Sequence, residues 1–244
     1  MTQSRMSTEI PVRRVTIDYF SDVLCIWAFV HQARMDELRL EFGVKIEVQQ
    51  RFLPLFGAND KRIARGWADR GGYAGYGRNV RDIAAQFDHV AVHPDVWVRN
   101  PPPSSMPAHL FLKAIQVLER RGEIEADWTS GAAGRTRFEE AIWRVRREFF
   151  SQAANVCDRN VLNRIAVALH LPVDRIHGLI ASGEAHAALH EDQEAREEHG
   201  VRGSPTLVLN QGRQVLYGNV GYRIIEANIR ELLHVPDTGE ASWC

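Results

Sequence analysis

Cysteine is scarce in this chain, with three residues in 244. That excludes a disulfide scaffold. Long apolar runs are missing too, and no stretch approaches the roughly 18 residues a membrane span needs. The opening MTQSRMSTEIPVRR has no apolar h-region, so no secretory signal is expected and the cytoplasm is the expected location. Neither sign of charge dominates. A net charge of −1 gives no bulk attraction to nucleic acid or to an anionic membrane, so neither is expected as a partner. Metal-site spacing is also lacking. His186 and His190 stand four apart, but no Cys, Asp or Glu framework accompanies them, so no metal is expected and exposed helix surface is the reading. In a reducing compartment each cysteine is then either a buried filler or a reactive thiol, to be judged by its setting.

What is present is a globular composition, 45% hydrophobic and 25% charged. The length suits one large domain or one domain carrying an insertion. VTIDYF (15–20) alternates as a strand does. From Ile26 to Phe42 apolar residues recur at helical spacing until Gly43 stops them. VKIEVQQRFLP (44–54) alternates again, so a parallel crossover is expected. Residues 57–103 are polar and glycine-rich, with short helices expected at 60–69 and 78–88. RGGYAGYGRN (70–79) follows no strand as a phosphate loop would, and reads as a loop beside the site or a plain linker. From NPPPSSMP to about residue 199 the pattern is helical. EDQEAREEH (191–199) reads as a solvated helix face. PTLVLNQGRQVLYG (205–218) is a hairpin turning at NQGR, and YRIIEANIRELL (222–233) a closing helix. The simplest architecture is an α/β sheet (14–56 and 191–235) interrupted by a large helical insertion domain (57–190), with a tail at 236–244.

The lone thiol in SDVLCIWAFVHQ (21–32) sits where the first strand gives way to the first helix. Unpaired amides and the macrodipole of a helix N-terminus favour a thiolate, the nucleophilic form. Trp27, unlike a histidine, adds no positive charge, so a moderate depression of the Cys25 pKa is expected. A small buried hydrophobe is the alternative reading of Cys25. Trp27 itself would either flank the sulfur or pack on the buried face of the helix. Cys157, in NVCDRN, reads as a packed residue. Cys244 ends the chain. The nine residues after Val235 reach roughly 30 Å fully extended, so Cys244 is either a terminal thiol or a resolving one.

The element order, DVLCIW (22–27), SMPAHLFLKAI (105–115) and DQEAREEHGVRGSPTLVLN (192–210) together resemble the DsbA-like branch of the thioredoxin superfamily, and most nearly its FrnE-type members. More distantly they are similar to kappa-class glutathione transferases and 2-hydroxychromene-2-carboxylate isomerases. DVLCIW departs from the family's D-x-x-C-P-W turn at Ile26, and Ala28 replaces the second cysteine. The resemblance implies a thioredoxin-like fold with a large α-helical insertion. It implies a thiol-disulfide oxidoreductase or isomerase with Cys25 as its single active-site nucleophile. Trp27 and the loop Ser204–Pro205–Thr206, with Pro205 cis, would bind substrate. The substrate would be a disulfide-containing protein or a small thiol. No cofactor is implied beyond glutathione as a co-substrate, and homodimers are common in these families.

A CxxC pair stores two electrons as an internal disulfide, and C-I-W-A cannot. Release of a mixed disulfide on Cys25 would fall to glutathione or to Cys244. The alternatives are a glutathione-dependent transferase or isomerase acting on a small molecule, and a binding protein whose cysteine is only structural.

Overall fold

The structure, a computed structural model, describes residues 14–126 and 134–234. Four strands form one mixed sheet in the order β2-β1-β3-β4. β1 (Val15–Ser21) and β2 (Ile46–Phe52) are parallel, with Ile17 opposite Val48 and Ser21 opposite Phe52. The crossover between them is α1 (Ile26–Phe42), stopped by Gly43 in a positive-φ conformation. β3 (Thr206–Leu209) runs antiparallel to β1, with Thr206 opposite Phe20. β4 (Gln214–Tyr217) closes a hairpin on β3. The NQGR turn places Asn210, Gln211 and Gly212 all at positive φ. α8 (Tyr222–His234) completes the core.

Period-2 alternation divides β1 between two faces. Val15, Ile17 and Tyr19 pack against Met35, Leu38 and Phe42 of α1 and Ile225 and Ile229 of α8. Phe20 faces the other way, onto Leu53, Val201 and Val208.

Between β2 and β3 the chain builds the helical insertion. A π-helical turn (Asp60–Arg65) and a 3₁₀ turn (Ala68–Arg70) lead into α2 (Gly72–Ala84). α3 (Met106–Arg120), α4 (Arg137–Gln152), α5 (Arg159–Ala168) and α6 (Val173–Ala181) follow. α7 (Glu184–Glu198) then returns to the sheet. α1 is buried on both sides, because its second face packs into this bundle. Phe29 stacks on Phe150 at 4.9 Å and on Trp143 at 5.2 Å. Burying side chains of that size stabilises by about 2–3 kcal/mol each, so α1 holds core and insertion together.

Two sequence expectations are corrected here. RGGYAGYGRN is not a loop or linker, since α2 starts at Gly72 and runs through it. Its glycines serve close packing. A Cβ on Gly75 would lie 1.7 Å from Arg70 O, and one on Gly77 2.4 Å from Val96 O. EDQEAREEH is not wholly solvated either, because Asp192 is fully buried. Its carboxylate accepts from Lys113 Nζ of α3 at 3.0 Å, from Arg51 Nη1 of β2 at 3.3 Å and from the Phe52 amide at 2.9 Å. One charge turned inward thus ties α3, α7 and β2 at a single point. Among the described residues no helix is long and apolar enough to cross a membrane.

Candidate functional site

The register of Phe20 opposite Thr206 brings the end of β1 against the loop before β3. Asp22 organises the junction and is fully buried. Its Oδ1 accepts from the Leu24 amide at 2.9 Å. Its Oδ2 accepts from the Phe56 amide at 2.9 Å and the Ser105 hydroxyl at 2.8 Å. Ser105 stands at the N-cap of α3 but spends its side chain on Asp22 rather than on the helix. His109, one turn along, accepts from the Val23 amide at 3.3 Å and lies 3.6 Å from Asp22 Oδ1. Burial holds its imidazole below the usual histidine range.

This scaffold sets Cys25 as the N-cap of α1, in extended backbone. Its carbonyl accepts from the amides of Ala28 and Phe29, both at 3.1 Å. Sγ donates to Ser204 O at 3.3 Å. The Ser204–Pro205 peptide is cis. Ser204 Oγ accepts from the Asp22 amide at 3.0 Å, which leaves its own proton free to donate. Thr206 is buried and its hydroxyl donates to Gly203 O at 2.8 Å, so it shapes the loop from behind.

The expected depression of the Cys25 pKa is corrected by this geometry. Burial pushes the thiol up. Ser204 and the helix amides of Ala28 and Trp27 pull it down, while the negative charge of Asp22 adds to burial. The residue is only 6% exposed, and desolvation outweighs the helix terminus. Arg146, fully buried on α4, donates to Ser21 Oγ at 2.9 Å and to Gln32 Oε1 at 2.6 Å.

Cys25 opens into a cavity of about 270 Å³ between the sheet and the insertion. Trp27 and Ser204 line it with Arg62, Tyr76, Arg202 and Tyr217. Trp27 is half-buried, edge-on to Phe87 at 6.4 Å. Of the residues named from sequence, Cys25, Trp27 and Ser204 therefore meet at one cavity, with Pro205 and Thr206 behind its wall. Cys157 lies elsewhere, half-buried, its Sγ donating to Ser104 O at 2.9 Å. Cys244 falls outside the described residues. His186 and His190 are exposed on α7, with His190 3.7 Å from Glu194. Sequence reasoning missed Asp22, Ser105, Arg62, Tyr76 and Arg202. All but Arg62 stood inside quoted motifs, Tyr76 in the RGGYAGYGRN segment read as a loop beside the site or a linker, while Arg62 lies in none of them.

A sheet of this order, a thiol at the first helix N-terminus and a cis-proline loop facing it define a thioredoxin-fold protein with a helical insertion. The chain belongs to the DSBA-like thioredoxin domain family, whose model matches residues 16–230. Solved structures of the same fold are distant in sequence. A probable DsbA oxidoreductase of Streptomyces coelicolor is 19% identical, with a TM-score of 0.66 over 90% of either chain. The cytosolic disulfide reductase DsbM of Pseudomonas aeruginosa is 16% identical, with a TM-score of 0.63 over 88% of this chain and 98% of that one. A 2-hydroxychromene-2-carboxylate isomerase is 13% identical, with a TM-score of 0.57 over 89% and 95%. No curated protein matches the chain in sequence.

Proposed function

We propose that the chain is a single-thiol disulfide oxidoreductase or isomerase of the cytoplasm, with Cys25 as its nucleophile. The thiolate attacks one sulfur of a disulfide or of a glutathione adduct. A Cys25 mixed disulfide forms, the original S–S bond breaks, and the departing thiolate takes up a proton. A second thiol then attacks the mixed disulfide and returns Cys25 to its starting form. With Ala28 three residues on, that thiol is glutathione or Cys244. The observation that carries this reading is Cys25 Sγ, capping α1 and held 3.3 Å from Ser204 O across a cis-proline loop, at the edge of an open cavity. Ser204 O is a backbone acceptor that an extended substrate could pair with in place of the thiol. The likeness to DsbM, also solved with GSH, supports glutathione as the partner thiol. The likeness to the isomerase, together with the small cavity, supports a second reading, glutathione-dependent transfer or isomerisation of a small molecule.

The test is mass mapping of tag-free protein after mild diamide treatment with glutathione. A Cys25–glutathione adduct or a Cys25–Cys244 disulfide is expected, and Cys25→Ser should abolish both. Cys25 reacting no faster than Cys157 would overturn the proposal.

A further inference from the structure

The walls of the Cys25 cavity carry charge of one sign. Arg62, from the π-helical turn, and Arg202, from the loop before Pro205, both line it, and among the described residues no carboxylate does. Asp22, behind the Cys25 turn, is buried and engaged by three donors. The Arg62 guanidinium lies 4.6 Å from the Phe56 ring centroid, which fixes it at the cavity edge without neutralising it. Arg62, Tyr76 and Cys25 line the same cavity. The rest of the lining is neutral: Asn79, Tyr76, Tyr217 and Ser204 offer hydrogen bonds, and Trp27 and Ile83 offer apolar contact. At about 270 Å³ the space is slightly below the roughly 300 Å³ lower range of small-molecule sites, too tight for a folded protein surface.

We propose that Arg62 and Arg202 make this site selective for low-molecular-weight disulfides that carry carboxylates, over neutral and cationic ones. The inference rests on the reading of Cys25 as nucleophile. A guanidinium presents a planar fork of donors that a carboxylate meets in a bidentate geometry. With one fork on the insertion and one on the cis-proline loop, a carboxylate on each side of the S–S bond would be held while the sulfur lies over Cys25. The chemistry is thiol exchange. The Cys25 S–S bond forms, the probe's S–S bond breaks, and the released carboxylate-bearing thiolate is protonated.

Three probes share an S–CH2–CH2 arm on each sulfur and differ in the group that ends it: 3,3′-dithiodipropionic acid (carboxylate), bis(2-hydroxyethyl) disulfide (neutral hydroxyl) and cystamine (ammonium). The rate of Cys25 modification by each is measured by mass mapping and divided by its rate with free 2-mercaptoethanol, which removes intrinsic reactivity. The full-length protein should favour the dicarboxylate over the neutral probe by about tenfold or more, from two partly exposed charge contacts. Cystamine should be slowest, and salt should compress the order. In R62Q/R202Q, checked for fold by circular dichroism, the ratio should collapse toward one, and R62K/R202K should restore part of it. Equal normalised rates for all three probes would overturn charge selection and leave the exchange reading standing. A ratio unchanged in R62Q/R202Q would overturn the assignment to these arginines. Failure of Cys25 to react with any probe would overturn the exchange reading, and this inference with it.

Discussion

Asp22→Asn is the substitution that separates stability from reactivity at this site. The carboxylate is fully buried and accepts from Leu24 N and Phe56 N at 2.9 Å and from Ser105 Oγ at 2.8 Å. An asparagine replaces one of the two oxygens with an NH₂ group. Placed at Oδ1, that group meets the Leu24 amide donor to donor. Placed at Oδ2, it meets the Phe56 amide, and only the Ser105 hydroxyl can turn round to accept. Either way one buried amide is orphaned and the remaining bonds lose their charge assistance. The expected cost is about 2–4 kcal/mol. For a chain of this size that corresponds to a fall in Tm of roughly 5–15 °C. Reactivity should move the other way. The charge of Asp22 helps hold the Cys25 thiol up, so removing it favours the thiolate. Urea unfolding and the pH-rate profile of iodoacetamide alkylation read the two effects. Ser105→Ala is the control, because it loses one bond and keeps the charge, so its alkylation midpoint should not fall. A D22N protein within about 0.5 kcal/mol of the native chain, or one whose Cys25 midpoint does not drop, would refute the reasoning.

The raised thiol also sets a pH dependence. Folding holds this proton more tightly than the unfolded chain does, so its stabilisation is complete below the ordinary thiol pKa and lost as pH rises through the folded value. Cys25 alkylation should therefore keep climbing above pH 9, and urea stability should decline there in the native chain more than in Cys25→Ala; a rate plateau below pH 8 would contradict this. Lys113→Met should destabilise by about 3–5 kcal/mol, because it leaves the Asp192 carboxylate buried with only Arg51 and the Phe52 amide. Adding Asp192→Asn should recover much of the loss, since Arg51 keeps Asp18 at 2.8 Å; equilibrium unfolding of the single and double variants decides it.

Local signals read well where one element determined them. Ile26 and Phe42 bound α1 as their spacing and Gly43 imply, and the hairpin expected at NQGR pairs β3 with β4. The cis bond at Pro205 agrees with the likeness of GVRGSPT to the family loop. What failed depended on distant neighbours. Gly75 and Gly77 look like loop glycines until the carbonyls of Arg70 and Val96 are seen to crowd them. Asp192 looks solvated until Lys113, 79 residues earlier, is placed beside it. The Cys25 pKa followed the helix terminus in sequence, but burial, which no local pattern reports, decides its direction. Arg62 and Arg202 reach one cavity only because the insertion folds back on the sheet.

The thiol and the carbonyl it donates to are 179 residues apart. A ribosome adding roughly 5–20 residues per second therefore makes Cys25 about 10–35 s before Ser204. In that interval the nascent thiol keeps its ordinary acidity, because the burial that raises it has not yet formed. The newborn chain is thus more open to stray oxidation than the finished protein. Completing the sheet with β3 is the step that sets Ser204 O against the sulfur and confines its access to one cavity.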